Sequence, residues 1–304
     1  MTRFPLPRMA FLFLSLGVTS AFLPLSAIAQ VRKACSGGVT LKLSASISKQ
    51  GSLLLAEVLG PKSLPKFTSE WDGQAIPLWR EDEKSPILHG LIGVDVEKPP
   101  GQYEWMVSWP GPEAEAQSCN VKITVRAGKF PTERLKVEPQ FVQPDPEQQK
   151  RAEEDQKKMR VIYDTVTPER LWNGKFLLPL KEVTTGGNFG RRRILNGQAR
   201  SPHAGVDFPA PAGTSVFASQ SGKVVLAENL YYSGNTVVID HGYGIYTLYA
   251  HLSKINVQSE EMVKAGAEIG KVGATGRVTG PHLHWGLTID HARVNAMQIA
   301  QRQP

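Results

Sequence analysis

Two short stretches, SPHAGVDF at 201–208 and GPHLHWG at 280–286, constrain this chain more tightly than anything else in it. In both, polar residues able to bind a metal recur at even spacing, and apolar residues fill the gaps. Along a strand, residues two apart face the same way. His203, Gly205 and Asp207 are therefore expected on one strand face, with Val206 and Phe208 on the other. His282, His284 and Gly286 are expected to share a face, with Leu283, Trp285 and Leu287 opposite. Two such strands set imidazoles and a carboxylate over an apolar core, and the glycines are expected to leave room for a metal and a substrate. Six of the seven histidines lie at or after position 203, which concentrates this chemistry in the last third.

Taken singly, these residues say little. A lone His203 or Asp207 is more often an ordinary turn or surface residue, and a lone His284 a core histidine. Together they form a donor set of nitrogen and oxygen atoms that suits zinc, and iron or manganese less well. Three protein ligands leave a fourth tetrahedral position open, where zinc can activate water and polarise a carbonyl. A nearby imidazole would move the proton. His282 and His251, in YAHLS, are the candidates, whereas His241, in IDHG, is expected to play a structural or supporting part, and His89 and His291 to lie on the surface.

The rest of the chain is read as what exports, carries and aims this centre. With 304 residues, 41% of them hydrophobic, it can build two domains. A net charge of +7 favours anionic polymers, but the basic residues are scattered and no base-reading module is present, so nucleic acid is not expected as a partner. Arg3 and Arg8, the apolar run from Met9 to Leu25 interrupted by Pro24, and Ala27-Ile28-Ala29 read as a cleaved signal peptide over 1–29. No later stretch is apolar enough to span a membrane. From 30 to 128, short alternating runs such as CNVKITVR, separated by PPG and PGP turns, read as an immunoglobulin-like β-sandwich. Cys35 and Cys119, the two cysteines of an exported chain, are expected to form a disulfide contributing about 4–5 kcal/mol. Trp71, Trp79, Trp105 and Trp109 read as core in preference to a carbohydrate groove. Residues 129–175 read as a linker, proline-rich at first and then a charged, solvated helix from Pro146 whose C-terminal end docks through Met159, Val161, Ile162 and Tyr163. From 176 to 304, glycine turns between short strands, without βαβ alternation, predict a small antiparallel β-sheet domain. The fold class is thus mainly all-β.

The last third resembles the lysostaphin-type zinc metallopeptidases, which cleave peptide bonds in bacterial peptidoglycan. The likeness runs through FGRRR, SPHAGVDFPAPAGTSVFAS, GNTVVIDHGYGIYTLYAHLS and VKAGAEIGKVGATGRVTGPHLHWGL. It implies His203, Asp207 and His284 as ligands of one zinc ion, His282 and His251 as catalytic, and a narrow groove over an antiparallel sheet. It also implies a peptidoglycan substrate; with the signal peptide, this sets an expected periplasmic or envelope location, and the charged helix running into the catalytic domain raises an unidentified regulatory partner. The region before it resembles, more weakly, the sandwich and linker of some exported members, with a Trp-x-Gly-x-Phe-x-x-Pro join at 172–179. Ala204 and Gly286 depart from the family's usual serine and acidic residue. A different reading, a non-catalytic wall-binding or amidase-activating relative, is disfavoured because such relatives lack ligands, and here all five residues are present.

Overall fold

The computed structural model describes residues 30–61, 66–111, 115–135, 144–182 and 185–301, so the expected signal segment lies outside the described residues. Two sheets make the N-terminal unit. One orders Val31–Ala34, Thr40–Leu43, Leu53–Leu59 and Ile87–Gly93; the other orders Ile47–Lys49, Ala116–Arg126, Gly101–Pro110, Thr68–Trp71 and Gln74–Ala75. All pairings are antiparallel except that of Ile47–Lys49 with Ala116–Arg126. Alternation dictates which side chains meet: Val121, Ile123 and Val125 turn inward and pack with Leu41, Leu43, Val58 and Ile92 of the facing sheet. The Cys35–Cys119 disulfide ties the two sheets together. Trp71, Trp79, Trp105 and Trp109 are all buried, as expected for core residues. Trp79 serves another core: it stacks on Tyr243 and meets Trp172 edge-on, joining the sandwich to the C-terminal unit. His89, expected on the surface, is half-buried and bridges backbone to backbone with Trp79.

The C-terminal unit is a large antiparallel sheet in the order Gly205–Pro209, His282–Ile289, Ile245–Ile255, Gly234–Asp240, Gly222–Leu230 and Met262–Val263. One face carries Val206, Phe208, Leu283, Trp285, Leu287 and Tyr249 into the main core. The opposite face carries the polar residues at one end and an apolar patch, Leu226, Leu230, Val238 and Tyr246, at the other.

Helix α1, Pro146–Asp164, covers that apolar patch with Met159, Ile162 and Tyr163. Asp145 caps it, accepting from the Gln148 amide while Gln148 answers to the Asp145 amide. Docking of its C-terminal end agrees with the sequence, and its charges are mostly exposed as expected, but three of them also reach the sheet. Arg151 bonds Asn229, Asp155 accepts from the Tyr231 amide at 2.7 Å, and Lys158 pairs with Glu228. The helix is therefore pinned to the sheet along its length. Val161 alone of the expected docking residues stays exposed. The chain end adds a strand, Ala292–Val294, and a short helix, Met297–Gln301. Arg293 in that strand is forked between Asp95 and Glu97 of the sandwich.

Candidate metal centre

Antiparallel pairing of Gly205–Pro209 with His282–Ile289 sets Asp207 directly opposite His284. Their side chains share a face because cross-strand partners do. His203 arrives differently. It lies in the segment before the strand, which begins only at Gly205, so the expected shared strand face for His203 and Asp207 is incorrect. Backbone bonds hold it instead: its amide donates to the Arg191 carbonyl at 3.0 Å, and its carbonyl accepts from the Gly190 amide at 2.8 Å. His203 Nε2, Asp207 Oδ1 and His284 Nδ1 then form a nearly equilateral triangle with sides of 3.0, 3.1 and 3.0 Å.

That triangle fits a tetrahedral zinc. Ligand atoms each about 2.0–2.1 Å from the ion would stand roughly 3.3 Å apart. Two imidazole nitrogens turned toward each other and toward one carboxylate oxygen present three lone pairs to a single point, an arrangement that a cation satisfies. Gly205 makes room for it in an unexpected way. A Cβ there would sit 2.5 Å from His284 Nε2, so this glycine clears space for the ligand's own ring, not for the metal or substrate.

Burial alone would raise the Asp207 carboxyl, but hydrogen bonds and charge attraction from His203 and His284 outweigh it and hold the group far below the usual carboxylate range. Burial keeps the His284 imidazole below its ordinary value, with Asp207 opposing. The downward direction favours the neutral ring that metal binding requires.

The two remaining histidines flank the triangle. His282 Nε2 is 3.7 Å from Asp207 Oδ1, and its Nδ1 is 2.9 Å from the Gly280 carbonyl. The His251 ring lies 4.8 Å from that of His282, and its Nδ1 is 2.9 Å from the Thr275 carbonyl. Each carbonyl fixes the proton on Nδ1 and leaves Nε2 for the site. Burial, helped by His284, drives the His251 imidazole down to about 4. His251 reaches this position through a break in its strand. Ala250 is the residue paired with His284, so regular alternation would turn His251 to the core. A register shift against the Gly234–Asp240 strand and a φ of +62° at His251 swing it back to the polar face.

The structure adds one residue that the sequence reading missed. Asn188 donates from Nδ2 to Asp207 Oδ2 at 3.2 Å, and its carbonyl stands 3.1 Å from His203 Nδ1. It therefore orients two donors at once and fixes the His203 proton away from the triangle. Its only sequence signal is an Asn beside Gly186-Gly187, where its φ of +70° suits asparagine. His241 is buried apart from the centre, with Nδ1 at 2.8 Å from the Ser221 carbonyl and Nε2 at 2.7 Å from the Thr247 hydroxyl. His291 is exposed and 3.5 Å from Asp164.

Comparisons with known proteins cover the stretch that holds His203, Asp207, His251, His282 and His284. Residues 201–296 match the model of Peptidase family M23. A 112-residue stretch, 36% of the chain, is 49% identical to peptidoglycan DD-endopeptidase ShyA of Vibrio cholerae and covers 26% of it. A 102-residue stretch, 34% of the chain, is 45% identical to DD-carboxypeptidase/endopeptidase Mpg of Neisseria meningitidis and covers 24% of it. The chain thus spans about a quarter of the length of these curated relatives. A Pseudomonas aeruginosa crystal structure of a candidate M23 peptidase superposes with a TM-score of 0.59 at 26% identity, over 83% of this chain and 94% of that one. Such coverage extends the likeness well beyond residues 201–296. On the family match and the shared fold, the chain carries a peptidase family M23 domain.

Proposed function

We propose that the protein is an exported zinc endopeptidase that hydrolyses peptide bonds in peptidoglycan stem peptides or cross-links. The observation that carries this is the triangle of His203, Asp207 and His284, with two further imidazoles beside it. Bound there, zinc would supply Lewis acidity toward a carbonyl and a water made acidic near neutral pH. In this reading the three donors hold one ion, and Asn188 keeps Asp207 and His203 in their orientations. His251 and His282, each with Nδ1 fixed on a carbonyl, offer Nε2 to accept a proton from water and pass it to the departing amine. The low basicity of His251 keeps it neutral at pH 7, ready to accept.

The substrate class is taken from ShyA, which is named a peptidoglycan DD-endopeptidase. Export follows from the basic and apolar character of residues 1–29, and an envelope location from the substrate. No helix among the described residues is long and apolar enough to cross a membrane. We divide the chain into a signal peptide at 1–29, a sandwich at 30–128, a linker at 129–175 and the peptidase at 176–304. Mass spectrometry of defined cross-linked walls digested by the full-length protein tests the proposal. Cleavage that stops with a chelator and resumes with zinc supports it; intact cross-links in the zinc-loaded digest would refute it.

A further inference from the structure

Thr275 holds more of the region around His251 than the single contact to its ring. Between the pairs Tyr249–Val237 and Leu252–Asn235, the Ile245–Ile255 strand has two residues, Ala250 and His251, where its neighbour has one, Thr236. This is a β-bulge, and the ladder has to close again at Leu252 and Asn235. The Thr275 hydroxyl bridges that pair. It accepts from the Asn235 amide at 2.9 Å and donates to the Leu252 carbonyl at 2.8 Å. The Asn235 side chain reaches the same carbonyl from Nδ2 at 3.0 Å. The bulged residue is held from two sides. Its amide donates to the Ser233 carbonyl at 2.9 Å, and its Nδ1 lies 2.9 Å from the Thr275 carbonyl.

The loop that carries Thr275 also reaches the second imidazole. Two residues earlier, the Gly273 carbonyl accepts from the His282 amide at 3.2 Å. One short stretch of chain thus contacts both His282 and His251, whose rings stand 4.8 Å apart. Two glycines let this loop approach the turn before Asn235. A Cβ at Gly234 would run into the backbone and hydroxyl of Thr275, and one at Gly276 would run into the Gly234 backbone. Both glycines take left-handed φ values, +63° and +75°. Backbone against backbone leaves the loop no room to move toward the turn, and the hydroxyl bonds keep it from moving away.

We propose that Thr275 is a positioning residue for the hydrolysis: its hydroxyl closes the bulge and its carbonyl turns the His251 ring, so that Nε2 is kept toward the centre and beside His282. The two contacts need each other. The carbonyl orients the ring only while the loop is seated on the bulge, and the bulge is what brings His251 to the polar face. Removing the hydroxyl takes a partner from two backbone groups at the point where the ladder closes, and frees the ring to turn or exchange its proton between nitrogens. The inference rests on the peptide-hydrolase reading and names the residue that sets its proton-transfer group.

Two measurements on the full-length, zinc-loaded protein test it. Ring-nitrogen NMR reads the His251 tautomer, its signal assigned by its absence from His251→Ala, and steady-state cleavage of a soluble cross-linked wall peptide reads turnover. In wild type, His251 should carry its proton on Nδ1. Thr275→Val keeps the side-chain shape and removes the hydroxyl. It should populate the Nε2–H form and lower kcat about 10–100-fold, with KM within about twofold and wild-type zinc content. Thr275→Ser, which restores the hydroxyl, should return the wild-type tautomer and most of kcat. An Nε2–H His251 in wild type would overturn the proposal before any variant is made. So would a wild-type tautomer and kcat in Thr275→Val, or loss of the wild-type tautomer in Thr275→Ser. The tautomer is read without turnover, which separates the two claims. A tautomer shift in Thr275→Val with no cleavage by wild type removes the hydrolase and keeps the hold on His251; cleavage that Thr275→Val leaves unchanged does the reverse.

Discussion

His241, just past the end of the Gly234–Asp240 strand, and His251, in the Ile245–Ile255 strand, are both buried, and burial drives both imidazoles to about 4. Their surroundings differ in one respect. Around His241 the protein supplies a partner for each ring nitrogen, the Ser221 carbonyl and the Thr247 hydroxyl. Around His251 the Thr275 carbonyl holds one nitrogen, and the ring faces His282 and His284. The same depressed basicity thus accompanies a closed structural region in one place and an open chemical one in the other. A shifted pKa marks burial; an uncommitted nitrogen beside other donors marks function.

The comparison can be broken from either side. At the metal centre, His284→Ala should drop bound zinc from about one per chain to background and abolish wall hydrolysis, with elemental analysis as the readout. Next in size, His251→Ala should retain zinc and lose about 10²–10⁴-fold in turnover on cross-linked wall. Loss of zinc in that variant would make His251 a ligand and undo its assigned role. Asn188→Ala should weaken zinc binding by about 10–100-fold, measured by competition with a chromophoric chelator, because two donors lose their orienting contacts together.

The smallest functional effect belongs to His241. His241→Gln should keep zinc and most turnover, yet lower unfolding stability by about 1–3 kcal/mol at pH 7. The pH dependence has a definite sign. Between the ordinary value of 6.5 and the native value of about 4, the unfolded chain binds a proton that the folded chain does not. The His241 contribution is therefore complete above 6.5 and is lost as pH falls toward 4, about 3 kcal/mol across the window. Denaturant titrations at stepped pH should show this slope in wild type and a flatter one in the variant. A large loss of turnover in His241→Gln would erase the distinction between the two regions.

The sequence made some of this legible, and the reasons are physical. HxH on an alternating strand assigned the polar face of His282–Ile289, because strand periodicity is local. Val121, Ile123 and Val125 announced their sheet in the same way. His203 was found as a donor but set in the wrong element: its position depends on backbone bonds to Gly190 and Arg191, which no spacing reveals. Alternation would also have sent His251 into the core, and only a bulge with a left-handed residue reverses that. Asn188 gave almost no signal, since its role exists only once two ligands from elsewhere meet beside it. The three contacts from α1 to the sheet are hidden for a related reason. Its charges are local, but Asn229, Tyr231 and Glu228 that receive them lie some 70 residues away.

The central claim is that one zinc ion, held by His203, Asp207 and His284, makes this domain a hydrolase. Titrating zinc into the apoprotein while following release of cross-linked peptides by mass spectrometry tests it most directly. Cleavage should rise in proportion to added zinc and reach its plateau at about one ion per chain in wild type, and stay at background throughout in His284→Ala. Full cleavage by the apoprotein, or a matching rise in His284→Ala, would contradict the account.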